Sequence, residues 1–154
     1  MTQGTAKKRS SRGWLLGAAL LCGVAGAAVW SSQLPEGPVE VIWDRDVCAH
    51  CQMHVGEPGF AAQLQTEDGT VLNFDDPGCA LAYLKSQKPT EHALYFHHHT
   101  DARWLKAPQV AFLPHTPTPM GYGWRVTEPN SPGALSLEEL KARISQAPVP
   151  EPRP

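Results

Sequence analysis

The sequence predicts an α+β fold, a small and mainly antiparallel sheet with one or two helices. Two short runs, Phe60–Thr66 and Thr70–Phe74, flank Asp68-Gly69, a strong hairpin signal. A helix start follows directly at Asp76-Pro77. Further short β-type runs precede a capping box near the C-terminal end.

Each element has a local reason. Val39–Trp43 is rich in β-branched residues and predicts a strand. Phe60–Thr66 alternates apolar and polar residues, the pattern of a half-buried strand. Asp76 predicts an N-cap and Pro77 the first helical residue. The helix then carries Cys79, Ala80, Tyr83 and Leu84 on one apolar face, and Lys88-Pro89 closes it. On that face Cys79 reads as packing. His92–His97, Gln109–Leu113 and Gly123–Val126 predict three more strands. Ser136 and Glu139 form the capping box of a last helix ending near Ile144.

Around this core the composition marks flanking segments. Lys7, Lys8, Arg9 and Arg12 precede an uncharged apolar run from Trp14 to Trp30, within residues 1–30. That layout fits an export signal or a membrane anchor. Cleavage after Ala25-Gly26-Ala27, retention as an anchor, and lipidation at Cys22 all stay open. Leu21 stands before Cys22, where a lipidated cysteine prefers a small neighbour. Each alternative puts the remainder on the periplasmic side, anchored or released. Residues 31–38 read as a linker, 39–146 as the domain and the proline-rich 147–154 as a disordered tail.

After Leu34 the chain has 9 Lys and Arg and 15 Asp and Glu, so its formal charge is 9 − 15 = −6. Nucleic-acid binding needs a basic face and is excluded on this ground. The same part holds three cysteines, Cys48, Cys51 and Cys79. An odd number leaves at least one thiol unpaired in an oxidising compartment, which points to chemistry rather than stapling.

Soft donors are densest in Cys48-Ala49-His50-Cys51-Gln52-Met53-His54. Thiolate and thioether sulfur favour Cu(I). Cys51 and Met53 are two residues apart and would share one side of an extended strand. Met120 lies beside Gly121 and near Gly123, which permit a tight turn. Cys48 is a further ligand, a transfer ligand or a disulfide partner of Cys51. His50 and His54 are in reach. His97-His98-His99 is either an auxiliary Cu(II) or Zn(II) site or an exposed strand end. Two rivals concern the same residues. A thiol–disulfide oxidoreductase would use Cys48 and Cys51, but Gly56, Pro58 and Gly59 deny them a following helix. A structural zinc domain would need a closed set of four ligands; Cys79 and the histidines could supply them, but no second cysteine pair stands at a diagnostic spacing. No nucleophile–base pair or phosphate loop marks an enzyme.

Three segments together resemble the NosL family of exported copper-binding accessory proteins: Cys51-Gln52-Met53; Phe74-Asp75-Asp76-Pro77-Gly78-Cys79; and Trp104-Leu105-Lys106-Ala107 with Ala111-Phe112 and Pro119-Met120-Gly121-Tyr122-Gly123. The resemblance implies ββαβ-type units like those of organomercurial lyase. It implies Cu(I) held by Cys51, Met53 and Met120. It also implies delivery of copper for nitrous oxide reductase maturation in denitrification, through the NosD–NosF–NosY membrane assembly.

Overall fold

The computed structural model describes residues 34–146. The anchor or signal, Cys22 and the tail lie outside them. Among the described residues no helix is long and apolar enough to cross a membrane.

Two antiparallel sheets and two helices form the domain, as the α+β reading expects. The larger sheet has the order β2-β1-β3-β4, with β1 Ala62–Thr66, β2 Val71–Phe74, β3 Glu91–His97 and β4 Trp104–Lys106. The smaller has the order β6-β5-β7, with β5 Ala111–Pro114, β6 Trp124–Thr127 and β7 Leu135–Ser136. Helix α1 spans Pro77–Gln87 and α2 spans Leu137–Gln146. Phe74, Phe96, Phe112, Leu64 and Leu140 are the largest apolar side chains in the shared core. Phe96 from the larger sheet meets Phe112 from the smaller edge-to-face, with centroids 5.2 Å apart.

The local signals at both helix starts hold. Asp76 caps α1 through the Gly78 N–H at 2.8 Å. In α2 the Ser136 N–H and hydroxyl both donate to Glu139, whose own N–H donates back to Ser136 Oγ. Lys88, in the left-handed region at φ 48°, ends α1. The hairpin turn is wider than the two-residue form. Thr66 N–H bonds to Thr70 C=O, and Gly69 supplies the positive φ of 87°.

Two expectations fail here, for one reason. Val39–Trp43 forms no strand, and the polar face of β1 is not solvated. Gln63 and Gln65 are fully buried. The Gln63 carboxamide takes the place of a ladder: its Oε1 accepts from Val39 N–H at 2.7 Å, and its Nε2 donates to Val39 C=O at 2.9 Å. Gln65 Nε2 donates to Gly37 C=O at 2.7 Å. The segment before the domain core is therefore clasped by side chains, and it covers the glutamine face. Gln63→Leu removes the partner of the Val39 N–H and C=O and of the Asn73 carboxamide oxygen together. A loss of about 2 kcal/mol in urea unfolding is expected; an unchanged midpoint would refute the clasp.

Candidate metal centre

The β2–α1 junction holds the site. Residues 47–54 form a short knuckle, closed by an antiparallel bridge between Val47 and His54. Inside it, Cys48 N–H bonds to Met53 C=O at 2.8 Å and Gln52 N–H to Cys48 C=O at 3.0 Å. Gln52 sits in the left-handed region at φ 65°. Its carboxamide donates to the carbonyls of Cys48 and Ala49, which anchors the turn.

Three contacts fasten the knuckle to the end of β2. Ala49 N–H reaches Asn73 C=O at 2.9 Å. Asn73 Nδ2 donates to Asp46 at 2.9 Å. Gly56 N–H donates to Asp75 Oδ1 at 3.2 Å. The chain then passes through Asp75 and the N-cap Asp76 into α1, so the first turn of α1 lies against the knuckle. Cys79 is the third residue of that helix.

The outcome is a three-sulfur cluster. The sulfurs of Cys48, Cys51 and Cys79 all lie within 4.8 Å of one another. Cys48 and Cys79 are fully buried, and Cys51 is half-buried. All three are free thiols. This arrangement could bind a metal ion. Among the described residues no other group of three or more His, Cys, Asp or Glu side chains is gathered this way.

The thiols are electrostatically unequal. Cys48 is pushed down to about 5, chiefly because the Cys79 thiol donates to it. Backbone N–H groups of Cys51, Asp75 and His50 add to that stabilisation, against the cost of burial. Cys79 is pushed far up by giving that hydrogen bond and by its burial. Cys51 is pushed up to about 11, mostly by burial, although the Met53 N–H opposes this. The cluster therefore favours the thiolate at Cys48 and the protonated thiol at Cys51 and Cys79. A metal ion entering the cluster has to displace the protons of Cys51 and Cys79.

Tyr122 spans the two halves. Its ring lies directly on Gly78: a Cβ added there would fall 2.0 Å from Tyr122 Cγ and 2.5 Å from Tyr122 Cβ. Its hydroxyl is 3.4 Å from His50 Nε2. Burial, followed by the negative charge of the cluster, pushes its phenol above the usual tyrosine range.

Cys48 and Cys51 come together, with Cys79 as the third member. Cys79 is packed in the core, as its place on the apolar helix face suggests, and its sulfur also joins the other two. Cys51 and Met53 do not share a strand face, because residues 49–51 are a turn and Gln52 is left-handed. Met53 is 50% exposed. Met120 is buried in the core that also contains Cys48 and Cys79, and its N–H donates to the N-cap Asp76 at 3.2 Å. His50 faces Tyr122, and His54 is exposed.

The three consecutive histidines do not form one site. Strand β3 stops at His97, whose ring is packed edge-on to Trp43 and Trp104. The Nδ1 of His98 is taken by the Asp101 N–H at 3.2 Å. The ring of His99 stacks with Phe60 and His115 instead.

No known protein-family model, characterised protein or solved structure matches this chain at significance.

Asp75 supplies a test of the local field. Burial, followed by the Cys48 charge and Asp76, raises it from 3.8 to about 6. A raised carboxyl favours folding below its unfolded value, and that contribution is lost as pH rises through 6. Above pH 6 the ionised Asp75 therefore costs stability. Asp75→Asn retains an acceptor for Gly56 N–H. The metal-free variant is expected to gain about 1–2 kcal/mol at pH 7.5 and little at pH 4 in urea titrations. Equal stability at pH 7.5 would contradict this electrostatic picture.

Proposed function

We propose that this chain is an exported Cu(I)-binding metallochaperone, and that its ion is held by Cys48, Cys51 and Cys79. The three gathered sulfurs carry the reading. Structural zinc takes four ligands in a closed tetrahedron. Here the gathered set has three members among the described residues. Three gathered thiolates suit a soft, low-coordinate ion, and Cu(I) is the common one. The backbone N–H groups directed at Cys48 and the start of α1 beside Cys79 offset the negative charge of the sulfurs.

The role of carrier rests on the same chemistry: soft donors able to hold an ion and release it to a partner. The sequence resemblance to the NosL family supports nitrous oxide reductase as the recipient, through the NosD–NosF–NosY assembly. An apolar N-terminal run after basic residues supports placement at the periplasmic face of the membrane. Met53 and Met120, which that resemblance implies as ligands, are auxiliary donors in this reading.

A thiol–disulfide oxidoreductase is the second reading. The lowered Cys48 thiol beside two others favours it. Anaerobic titration of the full chain with Cu(I) against a chromophoric chelator separates the two. One-to-one binding that survives a large excess of Zn(II) supports the carrier. An absence of Cu(I) binding in the reduced protein would remove it and leave the redox reading.

A further inference from the structure

We propose that His99, His115 and Arg125 form a binding site for a tetrahedral oxyanion, phosphate or sulfate, free or as part of a headgroup. The site is separate from the chemistry of the three thiols and does not depend on it.

The first observation is a buried guanidinium nitrogen. Among the described residues Arg125 Nε has no hydrogen-bond partner, and the His99 ring nearby has the Gly59 backbone beside it. Such atoms are uncommon in folded proteins and call for a ligand, a water or an ion. Arg125 and His99 belong to one neighbourhood, because His99 N–H bonds to the C=O of Val126, the residue next to Arg125.

The second observation is how the fold gathers them. Leu113 pairs with Arg125 across β5 and β6, and His115 N–H bonds to Gly123 C=O at 2.9 Å. Side chains alternate along strands, so Arg125 and His115 lie on one face, opposite to buried Phe112 and Val126. His99 is brought over from the larger sheet by its N–H bond to Val126 C=O at 3.3 Å. Its ring centroid lies 4.6 Å from that of His115, with the planes at 57°. Phe60 walls the pair at 4.8 Å from His99 and 5.5 Å from His115. Gly123, opposite His115, has no side chain to cover that end; a Cβ there would meet only the His115 carbonyl, at 3.7 Å.

The third observation is charge. Arg125 makes no ion pair among the described residues, whereas Arg103 and Lys141 both do. A half-buried guanidinium without a carboxylate is costly unless an anion joins it. A metal cation is disfavoured next to that same guanidinium, although two imidazoles would otherwise suit one. Arginine Nε–H and two tilted imidazoles give donors in different planes. That geometry fits a tetrahedral anion better than a planar carboxylate.

The test uses the full chain in mild detergent, with inorganic phosphate and sulfate as probes in isothermal titration. One-to-one binding is expected. Arg125→Gln should weaken it at least tenfold, His99→Gln and His115→Gln should each weaken it severalfold, and Lys88→Gln should leave it unchanged. Thermal melts identify any variant that fails to fold, and the two histidine variants keep the test open if Arg125→Gln does. Vesicles of phosphatidylglycerol, compared with phosphatidylcholine, distinguish the source. An Arg125-dependent, phosphate-competed preference for phosphatidylglycerol assigns a headgroup; free-ion binding without that preference assigns a soluble anion. No heat with either ion up to about 10 mM, or equal affinity in the parent and in all three site variants, overturns the proposal.

Discussion

Cys79→Ser is expected to lower Cu(I) affinity at least 100-fold, about 2.8 kcal/mol at 1.4 kcal/mol per decade. Cys79 is fully buried and its sulfur lies within 4.8 Å of both others. Serine keeps the size of the side chain near that of cysteine but replaces a soft donor by a hard one, which Cu(I) holds poorly. Cys48→Ser should behave alike. Met53→Leu, at a half-exposed position outside the cluster, should change affinity less than fivefold. The reverse order would be equally informative. If Met53→Leu and Met120→Leu each cost tenfold or more and Cys79→Ser costs little, the ion is held by Cys51 and the two methionines. The same chelator competition gives all these values, and circular dichroism identifies any variant that has lost its fold.

Gly78→Ala is expected to destabilise the domain by about 2–3 kcal/mol. Two effects oppose each other. Removing glycine from a helix ordinarily helps, by up to about 1 kcal/mol. The new methyl would meet Tyr122 at 2.0 Å from Cγ and 2.5 Å from Cβ. The Cβ of Tyr122 is fixed to its own backbone, so rotating the ring cannot relieve the clash. The loop around Tyr122 has to withdraw, and the clash outweighs the propensity gain. Withdrawal also loosens the seam between His50 and the start of α1, so a drop in Cu(I) affinity of tenfold or more should accompany the loss of stability. Tyr122→Ala in the Gly78→Ala background should recover part of both, because it removes the ring that the methyl strikes. Chemical denaturation of the two variants decides the matter: a Gly78→Ala protein as stable as the parent would show that the loop yields freely.

Parts of this architecture are legible in short stretches of sequence. The Asp76-Pro77 start of α1 and the Ser136–Glu139 box are chemistry between residues two or three apart, and both form as read. The cysteine cluster is legible by half. Cys48 and Cys51 announce themselves by spacing, whereas Cys79 arrives from a helix 28 residues further on. Only the bonds from Asn73 and Asp75 to the knuckle bring it there, and no local pattern encodes them. The strand-like spacing of Cys51 and Met53 misleads because Gln52 adopts a left-handed conformation, which sequence rules reserve mostly for glycine and asparagine. Alternation in β1 misleads for a different reason. It predicts which residues share a face, and it does so correctly, but it cannot say whether water or another part of the chain covers that face. Here residues 37–39 cover it, through Gln63 and Gln65.

If the chain carries copper as proposed, the unequal burial of the three sulfurs bears on the kinetics of transfer. Cys48 and Cys79 have no solvent-facing surface, so an incoming donor can first approach the ion only from the Cys51 side. A recipient that attacks there replaces Cys51 before the two inner sulfurs let go, and the ion need never be free in solution. The exchange is then second order: its rate climbs in proportion to acceptor concentration and is far faster than spontaneous loss. Stopped-flow transfer to a chelator should show no plateau set by dissociation in the parent, and Cys51→Ser should shorten the residence time more than either inner substitution does relative to its own affinity loss.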